Sequence, residues 1–134
     1  MNPRPTHHLG VRVYWEDTDA GGVVFYANYL KFFERARTEW LRALGVGQQA
    51  LREQTGAIFI VADTSLRFAA PARLDDLLDV TVQVLEVGLV TLRLRQQALR
   101  SDALLCEADI RIGCVDAGTF RPRRIPTEVT RRIA

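Results

Sequence analysis

From Asn28 onward the apolar residues Tyr29, Phe33, Ala36, Trp40 and Leu44 recur at steps of four, three, four and four. That spacing follows the 3.6-residue period of an α-helix and lays one apolar stripe along a single long helix. Asn28 is suited to cap its start and Gly45 to stop it. Burying Phe33 or Trp40 is worth about 1.5–3 kcal/mol each relative to exposure, so this helix needs an apolar surface laid against it. Lys31, Glu34, Arg35, Glu39 and Arg42 fall off the stripe and are expected on exposed faces, with Arg35 and Glu39 spaced for an ion pair across one turn.

The rest of the chain supplies that surface as strands. Residues 9–15 alternate as a strand, and residues 16–22 break it with acids and glycines. A short helical piece fits residues 47–54. Residues 57–68 then read as one long extended segment, ended by Ala70, Pro71, Asp75 and Asp76. Leu78, Val80, Val82 and Val84 share a face before a turn at Gly88, and Leu92, Leu94 and Ala98 alternate with Arg93, Arg95 and Gln97. After a turn at Ser101 and Asp102, Leu104, Cys106, Ala108, Ile110, Ile112 and Cys114 alternate with Leu105, Glu107, Asp109 and Arg111. Residues 127–133 suit a brief terminal helix. The order predicts an α+β fold, one long helix covered by a curved antiparallel sheet of about five strands. At 134 residues with 48% hydrophobic content, the chain is expected to form a single domain over residues 1–134.

The inventory of reactive side chains is short. His7 and His8 are adjacent near the N-terminus and are expected to be solvated ahead of the first strand; Ser65 and Ser101 are the only serines. A serine nucleophile activated by histidine has little to work with. Cys106 and Cys114 lie eight apart on one strand, about 26 Å at 3.3 Å per residue, too far to pair within it. They are expected to be free buried thiols, and with no further cysteine there is no zinc ligand set. Lys31 is the only lysine among 18 basic residues and follows no phosphate-loop pattern. No metal and no cofactor is implied. A net charge of +2 makes no case for a nucleic-acid partner. No apolar run approaches the roughly 20 residues of a transmembrane helix, nor is there a signal core near Met1, so a cytoplasmic location is expected.

Elimination leaves carboxylates and backbone amides, and these converge in Glu16-Asp17-Thr18-Asp19-Ala20-Gly21-Gly22, just before the helical region. Gly21 and Gly22 permit positive φ and close approach of a ligand. Amides beyond Gly22 carry the partial positive charge of a helix N-terminus. A carboxylate beside such donors can attack an acyl carbonyl or take a proton from water while the amides hold the developing oxyanion. Other readings of the loop are an Asx-turn at Asp17 or Asp19 and a phosphate cradle at the glycines. A calcium loop starting at Asp17 would need glutamate at residue 28, which is Asn28.

Residues 13–30, Val-Tyr-Trp-Glu-Asp-Thr-Asp-Ala-Gly-Gly-Val-Val-Phe-Tyr-Ala-Asn-Tyr-Leu, followed by Phe33-Glu34-Arg35-Ala36-Arg37, closely resemble the signature of hotdog-fold acyl-CoA thioesterases. The resemblance is to the 4-hydroxybenzoyl-CoA thioesterase family, most nearly its YbgC branch associated with the Tol-Pal system, and extends through Arg67-Phe68, Pro71 and Ile125-Pro126. It implies a hotdog fold and hydrolysis of acyl-CoA to a free acid and CoA, in a homodimer or homotetramer. It also implies that Asp19 is the catalytic carboxylate, as nucleophile or general base. Asp17, Gly21 and Gly22 then build the site loop, and backbone amides of Val24, Phe25 and Tyr26 polarise the carbonyl. Many members of that branch carry histidine where this chain has Tyr26, so a role for that histidine does not carry over. Arg67, Arg73, Arg121, Arg123 and Arg124 are candidates for the CoA phosphates, since guanidinium groups bind phosphate bidentately. Tyr29 or Phe33 would bound the acyl group, and acyl carrier protein is a second carrier left open. The rival readings are a hotdog hydratase or dehydratase, whose usual histidine is not available outside His7 and His8, and a non-catalytic module binding acyl-CoA or acyl carrier protein.

Overall fold

The computed structural model describes residues 5–133. Its strands are β1 (His7–Arg12), β2 (Ala57–Phe68), β3 (Leu77–Val87), β4 (Thr91–Arg100) and β5 (Ala103–Asp116), and its helices α1 (Asn28–Ala43), α2 (Gln48–Thr55) and α3 (Thr127–Ile133). All five strands form one antiparallel sheet in the order β1-β3-β4-β5-β2. Its inner face wraps α1. Register irregularities between Val61 and Asp63 in β2, Val84 and Glu86 in β3, and Ala98 and Leu99 in β4 interrupt the pleat, as bulges that bend a sheet do. No helix among the described residues is long and apolar enough to cross a membrane.

Alternation sorts the two faces as the pattern predicts except at the start of β5, where the register irregularity opposite Ala98 and Leu99 buries Leu105, expected on the other face, and leaves Leu104 half-buried. Leu92, Leu94, Ala98, Cys106, Ala108, Ile110 and Ile112 are buried under α1. Arg93, Arg95, Glu107 and Arg111 lie on the outer side, where Arg111 pairs with Asp63, and Arg67 and Arg95 share Glu107. The helix buries Tyr29, Phe33, Ala36 and Trp40, together with Phe32 and Leu41, which widen the stripe. Leu44 is only half-buried.

Three local expectations change. β1 starts at His7, so both histidines belong to the strand, and His8 Nδ1 lies 3.0 Å from the Asp79 carboxylate. The strand ends at Arg12 because the chain turns through a single 3₁₀ turn at Trp15–Asp17, which leaves Tyr14 and Trp15 exposed. Glu39 pairs with Arg42 and not with Arg35, whose guanidinium lies 5.9 Å from the Phe32 ring centroid. Arg42 is in the last turn of α1, where the helix dipole also favours a cation.

The core has one polar centre. Gln96, fully buried on β4, donates to the Phe33 carbonyl of α1 at 3.0 Å and to the Thr81 carbonyl of β3 at 3.1 Å, and its Oε1 accepts from Arg37 at 2.9 Å. Here the β3–β4 pairing breaks between Val80↔Ala98 and Gln83↔Arg95, and Thr81 Oγ1 takes the Gln97 N–H instead. Side chains replace missing ladder bonds, so the buried polar groups stay satisfied.

Cys106 and Cys114 are free and buried. Burial pushes the Cys106 thiol up to about 12 and raises that of Cys114. Both thiols should therefore resist a disulfide-forming reagent at pH 8 in the folded protein and react fully in denaturant; rapid native-state modification would contradict this packing. Phe33→Ala should lower unfolding stability by about 3–5 kcal/mol in chemical denaturation.

Candidate active site

Asp17 organises the loop between β1 and α1. Its side chain is buried at 7% exposure, and Oδ2 accepts the Tyr14 N–H at 2.8 Å, closing the 3₁₀ turn. Its carbonyl accepts two donors, the Phe25 N–H at 2.9 Å and the Asn28 side-chain amide at 2.9 Å. Asn28 is thus the first residue of α1 and not its cap; its amide reaches back to Asp17, and the N-cap position falls to Ala27. One residue thereby holds both ends of the loop.

Asp19 has the opposite environment. It is exposed; Oδ1 accepts the Gly21 N–H at 2.9 Å in an Asx-turn, and Oδ2 has no partner among the described residues. The turn closes with Gly22 N–H on the Asp19 carbonyl and Asp19 N–H on Val23. Gly22 adopts φ +81°, a left-handed conformation that a side chain would strain. A Cβ on Gly21 would lie 3.2 Å from Asp19 Oδ1, tighter than ordinary contact. The glycines give the carboxylate its turn and its room.

The expected carbonyl-polarising amides divide. The Val24 N–H is bound to Ala72 at 2.8 Å and the Phe25 N–H to Asp17, so neither is available to a ligand. Both are consumed in anchoring the loop, a use that spacing does not reveal. Tyr26 and Ala27, in the turn entering α1, have backbone N–H groups with no partner among the described residues. These are the free donors at the helix N-terminus.

Beside them opens a cleft of about 330 Å³, lined by Val24, Tyr26, Tyr29, Phe68 and residues 69–71. The Phe68 ring packs at 6.2 Å from Tyr26 and 5.9 Å from Tyr29. Asp19 is not in the wall of this cleft; Val24 and Tyr26 of the same loop segment are. Phe33 is wholly buried and cannot bound a ligand, whereas Tyr29 does line the cleft.

The arginine candidates separate into two groups. Arg73 bridges backbone to backbone with Val23, inside the site loop, and Arg67 is exposed at the Phe68 end of β2 while paired with Glu107. Arg121, Arg123 and Arg124 lie at the other end of β2: the N–H of Asp116, opposite Ala57, donates to the Arg121 carbonyl, and Arg123 donates to the Thr55 carbonyl. Twelve residues of strand, about 36 Å at 3.3 Å per residue, separate the ends. Ala72 and Asp76, of the segment linking β2 and β3, were given no part in the site by the sequence. Ala72 anchors Val24, and Asp76 accepts from Arg73 N–H and Arg100. Only a fold that brings residue 72 to residue 24 shows their part.

A long helix wrapped by a five-strand antiparallel sheet, with an exposed carboxylate in a glycine turn at the helix entrance, defines a hotdog protein of the thioesterase type. Residues 13–133 match the model of the thioesterase-like superfamily. The chain is 47% identical to the acyl-CoA thioesterase YbgC of Haemophilus influenzae, over 89% of this chain and 88% of that protein. It is 42% identical to the acyl-CoA thioester hydrolase YbgC of Escherichia coli O6:H1, over 89% of each. A crystal structure of a probable thioesterase from Bartonella henselae superposes with a TM-score of 0.85 at 32% identity, covering 91% of this chain and all of the other. The chain belongs to the thioesterase-like superfamily, in its YbgC-like branch.

Two outcomes follow from the loop's bonding. Asp17→Ala should destabilise the fold by about 1–2 kcal/mol in denaturant melts, as loss of a capping carboxylate does. For Asp76, burial opposes ionisation, but the Arg73 N–H and the Arg100 guanidinium outweigh it and hold the carboxyl below its ordinary 3.8. Its contribution is therefore present above that value and lost as pH falls through the lower folded-state value. Asp76→Asn should flatten the fall in Tm below pH 4, measured by thermal melts across an acid series.

Proposed function

We propose that this protein hydrolyses the thioester of acyl-CoA to a free carboxylic acid and CoA, with Asp19 as the reacting carboxylate. The observation that carries the reading is the contrast within one loop: Asp17 is buried and bonded, whereas Asp19 keeps a free oxygen in the segment that leads to the unpartnered Tyr26 and Ala27 amides. A thioester carbonyl oxygen would accept from the Tyr26 and Ala27 N–H groups, which need no reorganisation to receive the growing negative charge. Asp19 then either adds to the carbonyl carbon, expelling the CoA thiolate and leaving a mixed anhydride for water to cleave, or deprotonates the water that adds. Both routes yield one acid and one thiol. The 42–47% identity to proteins named as acyl-CoA thioesterases supports the substrate class.

The cleft is bordered by Phe68 of β2, an edge strand paired only with β5. Ile60, Val61 and Phe68 are exposed along it, and apolar exposure on a long free edge favours pairing with another strand. Antiparallel pairing with β2 of a second copy would place that copy's Arg121 and Arg124 near the Phe68 end of the first. Arg67 and Arg73 would meet the CoA phosphates from the same copy as Asp19. A cytoplasmic homodimer, or a homotetramer of two such pairs, is the assembly this implies; a monomer by light scattering would count against it. The carrier is taken as CoA, with acyl carrier protein the alternative.

Asp19→Asn should lower kcat for thiol release from a panel of short, long and aromatic acyl-CoAs by at least 10³, consistent with losing the reacting carboxylate, while leaving Tm and assembly as in the parent. Retained turnover refutes the assignment. Acyl-CoA binding without thiol release in the parent protein would favour the binding-module reading instead.

A further inference from the structure

A second cavity, of about 280 Å³, lies between the later half of α1 and the first half of β2. Its helical wall is Arg37, Thr38 and Trp40; Phe59, Leu92 and Ile112 supply an apolar floor. Arg37 is nine residues beyond the start of α1, about 14 Å along the axis at 1.5 Å per residue, so this space is distinct from the cleft at the helix entrance.

The guanidinium sets its chemistry. Arg37 is half-buried, and no carboxylate lies within ion-pair distance of it among the described residues. Glu34, one turn earlier on the rim, is exposed and supplies only a longer-range attraction. Burial accordingly lowers the Arg37 pKa from its ordinary value. Its one side-chain hydrogen bond runs to Gln96 Oε1, and Gln96 is itself locked by Phe33 and Thr81. A guanidinium carries five N–H donors in a planar fork that fits a carboxylate bidentately. Here a partly desolvated cation, oriented by a buried amide, lines a cavity that is apolar and aromatic at Trp40, Leu41, Phe59, Leu92 and Ile112 and polar at Glu34, Thr38 and Gln48.

We propose that this cavity binds a carboxylate carried on a small apolar body, with Arg37 holding the carboxylate and Trp40, Phe59, Leu92 and Ile112 holding the body. The carboxylate has two sources: a free carboxylic acid, the class of product that thioester hydrolysis releases, or a distal carboxylate on an acyl group still joined to CoA. The binding does not rest on the reaction assigned to Asp19, and it is tested in protein that cannot perform it.

Trp40 reports on the site, and Trp15→Phe removes the other tryptophan. In the Asp19→Asn, Trp15→Phe protein, octanoate titrated at millimolar concentration should change Trp40 emission saturably, with octanol at least tenfold weaker. Arg37→Gln, which keeps an amide donor for Gln96, should weaken octanoate tenfold or more and leave octanol unchanged. Thr38→Trp, at a half-buried wall position, should block binding with Arg37 intact, read by calorimetry; it serves if Arg37→Gln does not fold. Displacement of octanoate by adipoyl-CoA and not by hexanoyl-CoA assigns the site to the acyl group's own carboxylate; no displacement assigns it to the free acid. Equal affinity for octanol and octanoate, unchanged octanoate affinity in Arg37→Gln, or no saturable response overturns the proposal. Failure of the parent protein to cleave any acyl-CoA would overturn the thioesterase reading and leave this one standing.

Discussion

The three hydrogen bonds that Asp17 accepts hold the candidate active-site loop together. A buried carboxylate closes the turn behind it, and the carbonyl of the same residue receives both the chain and a side chain from the helix entrance ahead. Buried polar groups tolerate little loss of partners, so this arrangement is close to all-or-none. Because Asp17 fixes where the chain leaves β1 and where it enters α1, the two residues after it are free to turn outward. Asp19 can then be exposed without being disordered, held by Gly21 through one oxygen. The segment linking β2 to β3 braces the same loop from the far side through Ala72 and Arg73.

Much of the fold was readable in order because periodicity is a local property. The apolar stripe of α1, the alternation of β3, β4 and β5 and the turn at Gly88 all follow from neighbours within a few residues. The readings that changed depended on distant partners. Asn28 looked like a cap because asparagine before a helix usually is one; its amide instead finds a carbonyl eleven residues upstream. β1 looked longer because Tyr14 and Trp15 suit a strand, yet the Asp17 carboxylate pulls the chain into a turn. Gln96 gave no signal at all: an amide in an alternating run says nothing of a helix crossing above it.

The site was legible to a similar depth. Its acidic, glycine-bearing loop stood out by elimination, and the division between Asp17 and Asp19 agrees with their burial and bonding. The amides were not legible individually, since whether an N–H is free depends on Ala72, a residue brought in by tertiary structure. Nor was the placement of the arginines: guanidinium chemistry nominated all five alike, whereas within one chain the strand they adjoin carries Arg121, Arg123 and Arg124 to the end of β2 opposite Phe68.

The buried amide of Gln96 also bears on how the protein comes apart. It sits where the β3–β4 ladder is already incomplete, and it joins that gap to the backbone and side chain of α1. A helix lifted slightly from the sheet would keep Gln96 dry while stripping it of the Phe33 and Arg37 partners, a state less favourable than either full contact or full hydration. Gradual peeling is therefore disfavoured, and helix and sheet should melt in a single cooperative transition.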